Sequence, residues 1–149
     1  KTLAHAVIDI VIRAHIEDTW LRPLQESDQP ADTLIDIIHK LDTVITDDIL
    51  SLGCPLNNLA QEMSPLDEDF RRQINDIYQL WQQGIASALE RGKRLGAIRA
   101  SLEPSETAMF ILAALEGCIG MAKNAQSRSV LTGCTAGLID YLRLPEPEA

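Results

Sequence analysis

Between Phe70 and Ala88, apolar side chains return at steps of four, three, four, four and three: Phe70, Ile74, Ile77, Trp81, Ile85 and Ala88. At 3.6 residues per turn that rhythm keeps them on one stripe of an α-helix. Arg71, Arg72, Asn75, Asp76, Gln79, Gln82, Gln83 and Glu90 cover most of the remaining surface. Ser64-Pro65-Leu66-Asp67 reads as the start, with a hydroxyl N-cap, proline at the first helical position and a carboxylate at the third. Gly96, just past Lys93-Arg94, reads as the stop. A helix of nearly thirty residues would be about 45 Å long at 1.5 Å per residue. Other segments should pack along it.

The same reading extends to both ends of the chain. Thr2 to Trp20 is a first helix, with His5, Asp9, Arg13 and Glu17 as a narrow polar stripe. Almost everything else in it is apolar, which predicts neighbours on most sides. Pro23 and the polar stretch Gln25 to Pro30 predict a loop. A second helix follows, capped by Asp28 or Gln29, with Leu34, Ile38, Leu41 and Ile45 as its stripe and Ile37 and Val44 beside it. Thr46-Asp47-Asp48 predicts a break. Gly53-Cys54-Pro55 opens a short third helix with Leu56, Leu59, Ala60 and Met63 on one side. After the long helix and a loop over Ala97 to Leu102, Glu103-Pro104-Ser105-Glu106 starts another. Its only charge from Thr107 to Ala122 is Glu116, which predicts burial nearly all round. Ser129 to Leu144 forms the last helix, and Pro145-Glu146-Pro147 ends the ordered chain. No alternating β-branched segment with a hairpin turn appears, so the fold class is all-α, with about six helices.

Glycine inside a helix costs about 1 kcal/mol relative to alanine, so Gly117, Gly120, Gly133 and Gly137 need a reason. Close approach of backbones supplies one. Either the last two helices pack on each other within one subunit, or two such pairs meet across a two-fold axis as a four-helix bundle. The second reading is preferred, because one subunit of this length has few other helices to cover both. Its candidate interface residues are Ala113, Gly117, Gly120, Gly133, Cys134, Gly137, Leu138 and Tyr141.

Composition narrows the class further. The 149 residues suit a single domain, 1–149, and 46 % hydrophobic content suffices for a core that is aliphatic, since aromatics are only 4 %. A net charge of −9, without any run of basic residues longer than two, argues against DNA binding by this chain alone. Cys54, Cys118 and Cys134 are widely spaced and odd in number, which argues against both a zinc site and a disulfide scaffold. Reduced thiols in a cytoplasm are the default expectation. There is no signal peptide and no uncharged apolar run of eighteen residues, so no membrane is implied. The chain begins at Lys1 rather than Met, which leaves open that it is part of a longer protein.

Three stretches then carry a family likeness. Lys1-Thr2-Leu3-Ala4-His5-Ala6-Val7 looks like the start of a connecting helix that follows a helix-turn-helix. Gly53-Cys54-Pro55-Leu56-Asn57-Asn58-Leu59-Ala60 is similar to a "G-C-x-x-x-N-L-A" helix opening. Trp81 through Leu89, Gly96, Glu103-Pro104 and Leu115-Glu116-Gly117 resemble the succession "W…L…G…(D/E)-P…L-E-G". Together they resemble the C-terminal domain of the TetR/AcrR family of bacterial transcription regulators, with the DNA-reading helices absent from this chain. The resemblance implies a homodimeric sensor domain whose last two helices form the intersubunit bundle. It implies a ligand cavity between the connecting helix and the long middle helices, an effector of unidentified structure, and DNA contact only through the missing helix-turn-helix. No cofactor and no metal are implied.

Several residues are candidates for the effector site, each with a plainer alternative. Trp81 and Tyr78 could line a cavity or fill the core, and Trp20 could close the cavity or cap the core. Cys54, at a helix N-terminus, could be a reactive thiolate or a small buried apolar residue. Asn57 and Asn58 could satisfy local backbone or face the ligand. Glu116 needs a partner if buried, which could be Arg13, Lys123, the ligand or the two-fold axis. His15 could be a hydrogen-bonded core residue or a ligand contact. No nucleophile–base–orienter set is visible, so the chain does not read as an enzyme. The competing reading is a helical protein-interaction module with a filled core and no ligand.

Overall fold

The computed structural model describes residues 2–145, so Lys1 and the chain end expected over Glu146-Pro147 lie outside it. All regular structure among the described residues is helical. α1 covers residues 2–26, α2 Pro30–Val44, α3 Asp47–Leu52, α4 Pro55–Met63, α5 Glu68–Arg94, α6 Pro104–Ala125 and α7 Arg128–Leu142.

α1 runs longer than the sequence pattern indicated and is not a uniform α-helix. Val7–Ile12 and Glu17–Leu21 are π-helical turns within it. Of its buried side chains, Ile8, Ile12, Ile16, Trp20 and Leu24 follow one another at strict steps of four, with Leu21 beside Trp20. In a regular helix each step of four overshoots a full turn by about 40°, so such a row would wind off the buried face. The wider π turns absorb the overshoot and keep the row on one side. The second lies just ahead of Pro23, which therefore sits inside the helical run and not in the expected loop. Arg91 of α5 closes its end, donating to the carbonyls of Leu24 (3.0 Å), Gln25 (3.4 Å) and Ser27. Cover on most sides is not found in this chain. Leu3, Val7, Ile10 and Val11 are exposed, because α2, α4 and α5 meet α1 from one side only.

The expected break after α2 is real, but a short helix follows it. Thr46 caps α3, its hydroxyl accepting from the Ile49 N–H at 3.3 Å. Arg128 at the head of α7 holds this corner, donating to the carbonyls of Asp42 and Ile45 (2.6 Å each) and to Asp47 (2.7 Å).

The long helix starts later than Ser64-Pro65 suggested. Asp67 is its N-cap, accepting from the N–H groups of Asp69 and Phe70, since a carboxylate there outcompetes the earlier hydroxyl. At 27 residues it is about 40 Å long. Gly96 does end it, with φ of +72°, a conformation that suits glycine, and the Ala97 N–H closes back on the Gly92 carbonyl at 2.9 Å. Phe70, Ile74, Ile77, Trp81, Ile85 and Ala88 are all buried. At Gly84 the tip of the Leu21 side chain from α1 occupies the place a β-carbon would take.

α6 is buried on about half its surface, not nearly all round. Ile111, Leu112, Leu115 and Glu116 face inward, while Met109, Phe110 and Met121 are exposed. By length and hydropathy α6 could also cross a bilayer, but here it packs on both α5 and α7, with Glu116 near its middle. A disulfide joins Cys118 of α6 to Cys134 of α7, overturning the expectation that the three thiols stand apart. The odd count hid it because the third cysteine, Cys54, is free.

Candidate functional site

A cleft of about 510 Å³ opens to solvent between α4, α5 and α6. α4 contributes Asn57, Ala60 and Gln61; α5 contributes Tyr78 and Gln82, one turn apart. α6 contributes Met109, Leu112, Ala113, Glu116 and Gly117, whose spacing of three and four keeps them on one flank. The family likeness implied a cavity between the connecting helix and the long middle helices. Here α6 takes the place of α1 as a wall, because Trp20 and Trp81 fill the space between α1 and α5, ring centroids 5.0 Å apart.

Glu116 is the one charged side chain in the lining, and it is only 7 % exposed. Its Oε1 accepts the Cys54 thiol at 3.2 Å, and Asn57 reaches its backbone carbonyl at 3.5 Å. Its Oε2 is shielded from solvent and has no hydrogen-bond partner among the described residues. Neither expected cation is there: Arg13 lies 3.9 Å from Asp9, and Lys123 donates to Asn58 at 3.0 Å. Burial raises the Glu116 carboxyl above the ordinary carboxylate range, opposed by the bond from Cys54. Burial and then the Glu116 charge push the Cys54 thiol up to about 12, outweighing the amides of Asn57 and Leu56, which favour the thiolate. Cys54 is thus a neutral donor at pH 7, and the helix N-terminus does not make it reactive. The Tyr78 phenol is also raised, by burial and then by Glu116 and Cys54.

Of the effector candidates, the cleft gathers Asn57, Tyr78 and Glu116, with Cys54 directly behind Glu116. Trp20 and Trp81 are 3 % and 4 % exposed and belong to the core. Asn58 turns away, donating to the Leu52 carbonyl at 2.8 Å and accepting from Lys123. His15 is exposed on α1 and contacts Thr19 at 3.4 Å, so it is neither a core residue nor in the cleft. Ala60, Gln61, Gln82, Met109 and Leu112 were not singled out as ligand contacts; for Gln82 the signal was its place four residues after Tyr78.

Of the interface candidates, Gly117, Gly120, Gly133 and Gly137 have nothing within 4 Å of where a β-carbon would lie. They are therefore not points of close packing within the subunit. Leu138 is buried in the chain's own core and cannot present an outer surface. Tyr141 is half-buried against Phe110 and beneath Arg99, and Cys134 is tied to Cys118. Ala113 and Gly117 line the cleft as well as the exposed flank of α6. No group of three His, Cys, Asp or Glu among the described residues is placed to hold a metal.

Residues 30–136 match the family model described as "Transcriptional regulator LmrA/YxaF-like, C-terminal domain", of the TetR type. The chain is 30 % identical over 79 residues to the HTH-type transcriptional repressor DhaR of Mycobacterium sp. (strain GP1), covering 53 % of this chain and 40 % of that protein. It is 32 % identical over 71 residues to the transcriptional regulator AcuR of Cereibacter sphaeroides, covering 48 % of this chain and 32 % of that one. The chain thus spans well under half the length of these curated relatives. Among solved structures it superposes on the regulatory protein TetR from Rhodobacter sphaeroides with a TM-score of 0.81, at 22 % identity, over 92 % of this chain and 72 % of that one. The last likeness establishes the all-helical fold. The curated relatives are named as regulators, not as enzymes.

Proposed function

Since the chain belongs to the TetR family of transcriptional regulators, through its LmrA/YxaF-like C-terminal domain, we propose that it is the effector-sensing and dimerisation part of a cytoplasmic repressor. The observation that carries the sensing role is the cleft between α4, α5 and α6, concave, mostly apolar and holding a single carboxylate with an unpaired oxygen. The pairing role rests on the outer faces of α6 and α7. Met121 is exposed on α6 outside the cleft lining, and Gly133 and Gly137 leave open space on α7. Two copies joined there form a four-helix bundle across a two-fold axis.

The coupling follows from the packing. α4 is a wall of the cleft and also packs on α1. An effector that spreads α4 from α6 displaces α1, on which the DNA-reading heads of the whole protein would be carried. Heads that read successive turns of one duplex face must sit about 34 Å apart, so a small shift lowers operator affinity. The effector acts only as far as it binds the shifted state better than the other.

A thermal-shift screen with small, largely apolar compounds tests the reading. A binder should raise the melting temperature of the wild type, remain chemically unchanged, and lose its effect in Ala60→Trp, which fills the cleft. A binder that stabilises Ala60→Trp equally well would place the effector elsewhere.

A further inference from the structure

We infer that the effector taken by this cleft is a small cation, an amine or quaternary ammonium on an apolar body, with its positive charge set against Glu116. This inference rests on the cleft being the effector site. Three observations point to it. Glu116 lines the cleft while one of its carboxyl oxygens is buried with no protein partner, and a buried polar atom left without a hydrogen bond is costly. The lining holds no Lys or Arg, and the two cations that sequence spacing made available, Arg13 and Lys123, lie against Asp9 and Asn58 instead. The other polar lining groups are neutral: the amides of Asn57, Gln61 and Gln82, and the phenol of Tyr78, whose ring face also attracts cations.

The alternatives fit less well. A carboxylate or phosphate ligand would meet Glu116 with no compensating cation in the lining. A wholly apolar ligand would dry the cleft and leave Oε2 unpaired in a still less polar place. A cation supplies the missing partner through a charge-assisted hydrogen bond. Because Oε2 is shielded in the empty cleft, the ligand reaches it by moving a wall side chain.

Three probes of similar size separate the possibilities: 2-phenylethylamine, 2-phenylethanol and 3-phenylpropanoate, titrated at pH 7 into wild type, Glu116→Gln and Ala60→Trp and followed by ligand-observed NMR. The amine should bind wild type about tenfold or more tightly than the alcohol, and the acid least. Glu116→Gln should bring the amine down to the alcohol, and Ala60→Trp should abolish both. An amine no tighter than the alcohol overturns the cation assignment, while loss of alcohol binding in Ala60→Trp would leave the effector site standing. A preference that survives Glu116→Gln overturns the role of that residue without depending on the variant's stability, which its melting curve reports separately. Absence of binding by all three at millimolar concentration overturns both readings.

Discussion

Ile77 and Trp81 on α5 meet a dry wall, where Trp20 and the rest of the α1 row fill the space. Tyr78 and Gln82, each the very next residue, meet the open cleft and Glu116. One residue is a turn of about 100° on a helix. That rotation separates a flank filled by apolar side chains, where the Trp81 indole N–H is buried without a hydrogen-bond partner, from an open one where a carboxylate oxygen is left without a partner. The closed flank needs shape complementarity, so it uses large apolar side chains and one glycine for close approach. The open flank keeps polar tips and space. A helix can thus serve as core and as sensor wall at once, provided its neighbours are close on one side and spread on the other.

The largest test of this contrast is Trp81→Ala, expected to cost about 3–5 kcal/mol in urea denaturation, with Tyr78→Ala costing less than half as much. Equal losses would mean that the cleft flank is packed after all. Reduction of the Cys118–Cys134 bond, with its sequence separation of 16, should lower stability by about 3 kcal/mol in the chain-entropy account. An unchanged urea midpoint under reductant would remove that bond from the fold's support.

Glycines on the two kinds of surface should answer oppositely to alanine. Gly84→Ala must push Leu21 aside and should destabilise the monomer fold. Gly117→Ala and Gly137→Ala meet open space and should each add about 1 kcal/mol to the stability of an isolated chain. If these faces pair two subunits, larger replacements such as Gly137→Leu should shift sedimentation from dimer to monomer without loss of helix.

The smallest effect is one of pH. Glu116 has a raised pKa in the folded protein, so the native state holds its proton more tightly than the unfolded chain does. Its contribution to stability is fully present below the unfolded value near pH 4 and is lost as pH rises through the folded value. Glu116→Gln should flatten that part of the melting-temperature profile. Cys54, held as a neutral thiol, should react slowly with iodoacetamide in the native state at pH 7.

The helices and their order were legible because burial on one face writes a 3.6-residue period into the chain, as in Phe70 to Ala88. The widened turns of α1 were also written there, in two rows at strict steps of four, His5 to Glu17 and Ile8 to Leu24, and a regular-helix reading passed over them. The cleft was half legible. Glu116 announced itself as a lone charge in an apolar helix, and Tyr78 as an aromatic beside the stripe. Which flank of α5 was filled was not, since that depends on Trp20 arriving from sixty residues away. The Cys118–Cys134 bond was hidden for the same reason: it depends on the angle at which α6 meets α7, which no local pattern states.

The contrast between the flanks can be observed in one spectrum. In a ¹H–¹⁵N correlation experiment, the side-chain amides of Asn57, Gln61 and Gln82 report on the cleft, and the indole N–H groups of Trp20 and Trp81 report on the core. Titration with 2-phenylethylamine should move the three amides and leave both indoles in place. Indoles that shift while the amides stay fixed would put the ligand between α1 and α5 and contradict the account.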